Sequence, residues 1–222
     1  MRTTAVLPVK RFGAAKQRLG DAAGDGGRPA LAQAMLIDVL AALARSERLG
    51  RVIVVSGEPA ARDAARRAGV ELIDDPADSG HSPAARLGVE AALAAGDACA
   101  ALLPGDCPLL DPAELDRALG TMRAGVAGVV PDRHGSGTNG LLLAPPDAIA
   151  PSFGPGSRER HLELARRSGV EPRVVEIDSM ALDLDTPADL LELSGILRDA
   201  PERAPETAAV LAATLASPGP DA

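Results

Sequence analysis

TTAVLPV, at Thr3–Val9, is followed at once by KRFGAAKQRL, at Lys10–Leu19. A short and almost uninterrupted apolar run is typical of a strand that is buried on both faces of a parallel sheet. The polar segment behind it then starts at the carboxyl end of that strand, where open α/β sheets bind their ligands. These residues therefore predict both the kind of fold and one edge of a binding site.

Short apolar runs alternate with segments of helical periodicity along the rest of the chain. Six further strands are predicted at Arg51–Ser56, Glu71–Asp74, Ala100–Pro104, Val126–Pro131, Leu141–Ala144 and Arg173–Ile177. Helices are predicted near Pro29–Arg45, Pro59–Ala68, Pro83–Ala95, Pro112–Leu119, Arg158–Arg167 and Pro187–Leu193. This alternation predicts a three-layer, Rossmann-like α/β fold with a mostly parallel sheet. We expect one domain over residues 1–199, then a Pro- and Ala-rich tail over 200–222 with a short helix followed by disorder.

The composition limits the class of protein. Hydrophobic residues make up 46% of the 222 residues, and the core must be aliphatic because the chain has no Trp, no Tyr and two Phe. A formal net charge of −8 argues against nucleic-acid binding. No apolar run approaches the length of a membrane span, and no signal peptide is recognisable. We therefore expect a cytoplasmic protein that binds neither nucleic acid nor a membrane.

The segment after the first strand is basic in an acidic chain. Only two of the 23 basic residues are lysines, Lys10 and Lys16, and both lie in this segment with Arg11 and Arg18. Lysine is a compact point charge and a common partner of phosphate oxygens. A phosphate-binding loop is one interpretation, and a solvated basic loop is the other that the local sequence leaves open.

Three aspartates follow predicted strands or extended segments. Asp106 comes after the Ala100–Pro104 strand, and Asp183 and Asp185 are two residues apart, so that in an extended segment they point to the same side. Carboxylates this close repel each other unless a cation or a proton lies between them. If Asp106 converges on the pair, the three supply oxygen ligands for Mg²⁺. The alternatives are a turn aspartate that caps local N–H groups and two exposed carboxylates.

Two glycine-rich segments offer groups that bind anions. One reads DRHGSGTNG over residues 132–140 and contains Thr138; the other reads FGPGS, at Phe153–Ser157, and leads into a predicted helix. Backbone N–H groups, hydroxyls and helix N-termini bind phosphate and carboxylate. Ordinary turn chemistry, with Ser157 as the N-cap, explains both segments equally well. Either Phe lines a pocket or anchors a loop, and the chain shows no nucleophile–His–acid spacing.

Taken together, five of these segments resemble the guanylyltransferases of deazaflavin coenzyme F-420 biosynthesis, a branch of the nucleotide-diphospho-sugar transferase fold. They occur in the family's order and cover the chain to about Leu197. The matching segments are Pro8–Leu19, Pro104–Leu109, Gly135–Thr138, Phe153–Ser157 and Asp183–Pro187. Related nucleotidyltransferases usually carry a glycine-rich loop and an Arg after the first strand. Here that loop holds only Gly13, so basic side chains replace backbone N–H groups.

The resemblance implies a role for each matching residue. Magnesium would be held by Asp106, Asp183 and Asp185; the acceptor's phosphate and carboxylate would be bound by Thr138, Gly154 and Ser157; the GTP phosphates would be contacted by Lys10, Lys16 and Arg18. Lys16, Arg18 and Asp106 would be the residues closest to the chemistry. Lys10 would line the entrance.

The resemblance also implies a reaction. A phosphate oxygen of phosphoenolpyruvate would attack the α-phosphorus of GTP, giving enolpyruvyl-diphospho-guanosine and pyrophosphate. Such transfer needs positioning and charge neutralisation and no protein nucleophile. The alternatives are 2-phospho-L-lactate or another small phosphorylated acid as the acceptor and, more remotely, a non-catalytic nucleotide sensor. A homodimer and contact with the next enzyme of the pathway are further expectations, and guanine would bind near residues 74–88.

Overall fold

A computed structural model describes residues 2–12, 24–184 and 186–216 of the chain. Strands and helices alternate along most of this length. The strands are β1 Thr3–Pro8, β2 Leu49–Ser56, β3 Glu71–Asp74, β4 Cys99–Leu102, β5 Val126–Pro131, β6 Thr138–Ala144 and β7 Glu171–Val174. The α-helices are α1 Gly24–Leu43, α2 Pro59–Ala68, α3 His81–Ala94, α4 Pro112–Gly120, α5 Ser157–Arg167, α6 Pro187–Asp199 and α7 Pro205–Ala216.

The described strands form one sheet in the order β3-β2-β1-β4-β6-β5-β7. Strand β6 is antiparallel to its neighbours β4 and β5, whereas the other pairs are parallel. The carboxyl ends of β1, β4 and β5 therefore meet at one edge of the sheet, together with the amino end of β6. The predicted three-layer fold with a mostly parallel sheet is confirmed.

Two apolar layers cover the sheet. One face packs under α1, α2, α4, α6 and α7, and its core includes Leu7, Met35 and Leu115. The other face packs under α3 and α5, with Val6 and Leu141 in its core. The core is aliphatic as predicted, except for the buried ring of Phe12.

Helix α3 lies unusually close to the sheet. A Cβ atom on Gly88 would lie 2.1 Å from Cγ1 of Val6 on β1, so only glycine allows this approach. The close packing fixes where the N-terminus of α3, at His81, meets the edge of the sheet.

The starts of the helices follow local capping chemistry. Asp111 accepts a hydrogen bond from the Ala113 amide at 2.8 Å, and Thr186 forms a reciprocal capping box with Asp189. The alternative interpretation, that Ser157 is the N-cap of α5, is wrong. Gly156 holds that position with a left-handed φ of +67°, and Ser157 is the first residue of α5.

Several other element boundaries differ from the prediction. Strand β6 starts at Thr138, three residues before the predicted start, because Thr138 and Gly140 pair with β5 although their sequence is typical of a loop. Strand β7 begins at Glu171, two residues before its predicted start. Helix α6 continues to Asp199 and not to Leu193.

The described residues after 199 pack on the same body. Asp38 on α1 is buried, and it accepts hydrogen bonds from the Thr207 amide at 2.8 Å and the Thr207 hydroxyl at 2.6 Å. This carboxylate therefore caps the first turn of α7, where negative charge is favourable. The stretch Ser217–Ala222, predicted to be disordered, lies outside the described residues. None of the described helices is both long and apolar enough to cross a bilayer.

Candidate active site

The first residues of the basic loop are fixed at the carboxyl edge of the sheet. The Phe12 amide donates to a Glu58 carboxylate oxygen at 3.0 Å, and Arg11 donates to the Pro76 carbonyl at 3.3 Å. Phe12 is buried in the core, so this Phe anchors the loop. Lys10 is exposed beside these anchors.

His81 is the first residue of α3, which packs against β1, β2 and β4. Burial lowers the pKa of His81 to about 4; the negative charge of Asp106 partly offsets this shift, and the positive charge of Lys10 adds to it. Both charges must lie near the imidazole to act on it. Lys10 and Asp106, two of the predicted site residues, thus lie within electrostatic range of the N-terminus of α3.

Phe153 connects this region to the second glycine-rich segment. Its ring packs edge-on against His81 and His161, with centroid separations of 4.5 and 5.2 Å. The Phe153 amide donates to the Ser82 hydroxyl at 2.9 Å. The Phe153–Ser157 turn is thereby joined to the first turn of α3.

Arg160 holds the same turn from the side of α5. Its guanidinium donates to the Ser152 carbonyl at 2.8 and 3.1 Å and to the Pro155 carbonyl at 3.0 Å. Arg160 therefore stabilises the backbone of this turn. Within the turn it holds, Gly154 is exposed with a φ of +114°, and Ser157 is almost fully buried.

The two glycine-rich segments lie against each other. Arg158 donates to the Gly135 carbonyl at 3.0 Å, and the Arg158 amide donates to the Ser136 carbonyl at 3.3 Å. Thr138 is joined to α5 through the ring of His161, with 3.0 Å between Thr138 Oγ1 and His161 Nδ1. Thr138, Gly154 and Ser157 thus lie on one connected part of the site.

The amides of the first glycine-rich loop bind a carboxylate of the same loop, that of Asp132. The amides of Ser136 and Gly137 both donate to the Asp132 carboxylate at 2.9 Å. A Cβ atom on Gly137 would lie 2.4 Å from the same carboxylate. The interpretation that these N–H groups hold an external anion is therefore wrong for this pair, and Thr138 is the candidate donor from this segment.

Asp183 belongs to a segment that approaches the loop of Asp106. The Met180 carbonyl accepts from the Asn139 side chain at 2.7 Å and lies 3.6 Å from the Cys107 sulfur, next to Asp106. Asp183 follows three residues later and is half-buried. Within residues 2–12, 24–184 and 186–216, no three His, Cys, Asp or Glu side chains are grouped as a metal site requires.

Three of the predicted site residues lie outside the described residues: Lys16, Arg18 and Asp185. Their roles stay predictions. Of the three aspartates assigned to magnesium, the structure describes Asp106 and Asp183. Their oxygens suit Mg²⁺, which commonly takes one or two carboxylates together with phosphate oxygens.

The family model described as guanylyl transferase CofC like matches residues 3–200 of the chain. The chain belongs to this family. The family predicted from the five segments is thereby confirmed.

Two relatives of the chain share one name. A phosphoenolpyruvate guanylyltransferase of Conexibacter woesei is 47% identical over 192 residues, which cover 86% of each chain. A phosphoenolpyruvate guanylyltransferase of Rubrobacter xylanophilus is 42% identical over 207 residues, which cover 92% of this chain and 100% of the relative. This chain therefore matches both relatives over most of their length.

A solved structure supports the fold assignment. A Desulfovibrio desulfuricans G20 protein assigned to the nucleotide-diphospho-sugar transferases has a TM-score of 0.76, with 96% of this chain and 95% of that chain covered. At 18% identity this likeness shows the fold alone. The CofC-like chain thus has the nucleotide-diphospho-sugar transferase fold predicted for it.

The sequence did not indicate the supporting roles of three residues around the site of this CofC-like chain. Ser82, Asp132 and His161 each hold a segment that carries a candidate site residue. A signal for His161 exists in the sequence, since it lies four residues after Ser157 and therefore on the same helix face. Nothing in the local sequence pairs Ser82 with Phe153.

Proposed function

We propose that this chain transfers GMP from GTP to phosphoenolpyruvate, giving enolpyruvyl-diphospho-guanosine and pyrophosphate, in coenzyme F-420 biosynthesis. The observation that carries the proposal is the family membership, with relatives named for this activity at up to 47% identity over 86% of the chain. The site described above has the charges and donors that such a reaction needs.

The site has two sides in this proposal. Lys10, with Lys16 and Arg18, neutralises the triphosphate of GTP at the end of β1. Thr138 and Gly154 bind the phosphate and carboxylate of the acceptor; Ser157, predicted to bind with them, is almost fully buried and supports this side from the first turn of α5. The contact between Phe153 and the first turn of α3 supports this division, because it holds the acceptor side against the side that carries Lys10 and Asp106.

The chain's residues then act by holding two anions in line. A phosphate oxygen of the acceptor forms a bond to the α-phosphorus of GTP while the bond to the pyrophosphate oxygen breaks. The two reactants are anionic and repel each other. Positioning by the protein and nearby cations lower this barrier. The acceptor phosphate is already ionised near pH 7, so no side chain needs to remove a proton.

Magnesium is part of the proposal as the cofactor. Asp106, Asp183 and Asp185 would hold it, and their carboxylate oxygens are the ligands that it prefers. When bound, it would neutralise charge on the phosphates. The half-buried Asp106, at the carboxyl end of β4, supports this assignment.

Product mass identifies the acceptor. The purified chain is incubated with GTP and Mg²⁺ and with either phosphoenolpyruvate or 2-phospho-L-lactate. We expect the enolpyruvyl-diphospho-guanosine mass with the first acid. Product with 2-phospho-L-lactate and none with phosphoenolpyruvate would assign the alternative acceptor, provided that both reactions are repeated with the next enzyme of the pathway present.

The same proposal includes the setting of the reaction. The chain would act in the cytoplasm, as a homodimer, and would pass its product to the next enzyme of the pathway. Mass measurement in solution, alone and with that enzyme added, tests both associations.

A further inference from the structure

The Thr138 hydroxyl has a buried hydrogen-bond partner behind it. Thr138 Oγ1 lies 3.0 Å from His161 Nδ1, and the other ring nitrogen, Nε2, accepts from the Ser152 amide at 2.9 Å. His161 has no exposed surface, whereas Thr138 is partly exposed. His161 is therefore out of reach of a ligand and can act only through its neighbours.

These two contacts fix the position of the imidazole proton. A backbone N–H can only donate, so Nε2 must carry the lone pair. A neutral imidazole has one N–H group, which is then at Nδ1 and donates to Thr138 Oγ1. Burial, with a smaller effect of the Arg160 charge, lowers the pKa of His161 to about 4, which agrees with a neutral ring.

The proton of the Thr138 hydroxyl must then point away from the ring. An oxygen that accepts from Nδ1 cannot donate its own hydrogen to the same nitrogen. Phosphate and carboxylate groups accept hydrogen bonds when ionised, so they are bound by hydroxyls that point a hydrogen at them. A hydroxyl that donated to the ring would instead present lone pairs to the anion.

We propose that His161 is a positioning residue which makes the Thr138 hydroxyl a hydrogen-bond donor toward the acceptor's phosphate or carboxylate. The inference rests on the proposed function, since it takes Thr138 as part of the acceptor site. The arrangement also determines specificity: the Thr138 hydroxyl then favours an anionic group, which accepts its hydrogen bond, over a neutral group that would have to donate one to it.

The competing explanation is that His161 only supports the turn, through Ser152 and the ring of Phe153. Two substitutions separate the roles. In His161→Asn the amide nitrogen lies near the position of Nδ1 and keeps a donor for Thr138, but the acceptor for Ser152 is lost. In His161→Gln the side-chain oxygen reaches the position of Nε2 and keeps the Ser152 contact, but the donor for Thr138 is lost.

The experiment measures KM for phosphoenolpyruvate, KM for GTP and kcat on both variants of the full chain. We expect His161→Gln to raise KM for phosphoenolpyruvate roughly 10- to 100-fold, the range for one hydrogen bond to a charged group, with KM for GTP little changed. We expect His161→Asn to stay within about fivefold of the unaltered chain, the range for the loss of one neutral hydrogen bond, here the one from the Ser152 amide. The proposal is overturned if His161→Asn raises KM for phosphoenolpyruvate more than His161→Gln does. It is also overturned if His161→Gln raises KM for GTP as much as KM for phosphoenolpyruvate.

Thr138→Val tests the same hydrogen bond from the other partner and keeps the proposal testable if a His161 variant folds poorly. Thr138→Val removes the hydroxyl at nearly constant volume and should raise KM for phosphoenolpyruvate as His161→Gln does. If His161 acts through Thr138, the two changes together should cost no more than one alone. Fully additive losses overturn the proposal.

The tautomer of His161 is measured on the protein without substrates. Nitrogen-15 NMR at pH 7 should find a protonated Nδ1 and a lone pair on Nε2; a proton on Nε2, or on both nitrogens, overturns the inference. This result does not depend on the acceptor. A chain with the Nδ1–H tautomer and no turnover of GTP with either acid would contradict the proposed function and support the proton arrangement.

Discussion

The backbone amide of Phe153 donates to the hydroxyl of Ser82 at 2.9 Å, across 71 positions of the chain. This bond ties the turn that leads into α5 to the first turn of α3. His81, the residue before Ser82, feels the charges of Asp106 and Lys10. The two sides of the candidate site are therefore connected through protein contacts before any ligand binds.

Ser82→Ala removes the acceptor for the Phe153 amide and should loosen the acceptor side. Loss of one neutral hydrogen bond costs about 1 kcal/mol. We expect a modest rise in KM for phosphoenolpyruvate, of a few-fold, with KM for GTP less affected. Ser194→Ala is the matched control, because the Ser194 hydroxyl donates to the Leu190 carbonyl within α6. If Ser82→Ala and Ser194→Ala changed KM for phosphoenolpyruvate equally, the Ser82–Phe153 hydrogen bond would not support the acceptor side.

Asp106→Asn keeps the size of the side chain and removes the charge proposed to bind magnesium. A metal-ligand role predicts a loss of turnover of about 100-fold or more, since charge neutralisation by a metal is worth several kcal/mol. Melting temperature should change little. Asp111→Asn is the control, because Asn is also a good N-cap for α4. Full activity of Asp106→Asn would dismiss the metal role and the proposed mechanism with it.

Lys16→Ala tests the basic loop, with Lys10→Ala as its companion. If Lys16 contacts the GTP phosphates, its loss should lower kcat/KM for GTP about 10-fold or more, as expected for a charged hydrogen bond. Lys10→Ala should have a smaller effect, because Lys10 is exposed at the start of the loop. Unchanged steady-state kinetics of Lys16→Ala would contradict the proposed phosphate contact.

Gly88→Ala tests the close approach of α3 to β1. The added methyl would overlap the Val6 side chain, and overpacking of this kind typically costs about 1–3 kcal/mol. Gly195→Ala on α6 is the control: no atom lies within 4 Å of the added Cβ, and Ala should stabilise the helix by up to about 1 kcal/mol. Urea unfolding measures both changes. Equal stability of the two variants would contradict the packing.

The pH dependence of stability tests the buried His161. Its pKa is lowered from 6.5 to about 4 in the folded chain, so between these values the unfolded chain binds more protons. Above pH 6.5 this titration does not change the free energy of unfolding. As the pH falls from 6.5 to about 4, the free energy of unfolding decreases, by at most roughly 3 kcal/mol. His161→Asn lacks this titration.

The stability advantage of the unaltered chain over His161→Asn should therefore shrink as the pH falls from 7 to 4.5. Urea unfolding at several pH values measures the difference. A constant difference would mean that His161 titrates normally.

The sequence predicted the elements well where one local signal decides each of them. Asp111 with Pro112 starts α4 as predicted, and the run of Val126–Pro131 forms β5 over the same residues. The assignment from sequence failed where residues distant in the chain determine whether a segment forms a strand or a loop. Thr138 and Gly140 belong to β6 because β5 pairs with them, although glycine and asparagine favour a loop. The use of the loop amides by Asp132 also depends on a folded geometry that spacing alone does not specify.

The reversed direction of β6 has a consequence for how selectivity is built. Thr138 starts a hairpin strand and is preceded by a surface loop, whereas Lys10 and Asp106 follow parallel strands in the middle of the sheet. The loop at residues 132–137 and the turn at residues 152–156 can change in length or composition without breaking the central strand pairs. In the proposed function these two segments carry the acceptor side and lie outside the central strand pairs, so exchanging both of them for those of a relative should change the acid that is used without disrupting the sheet.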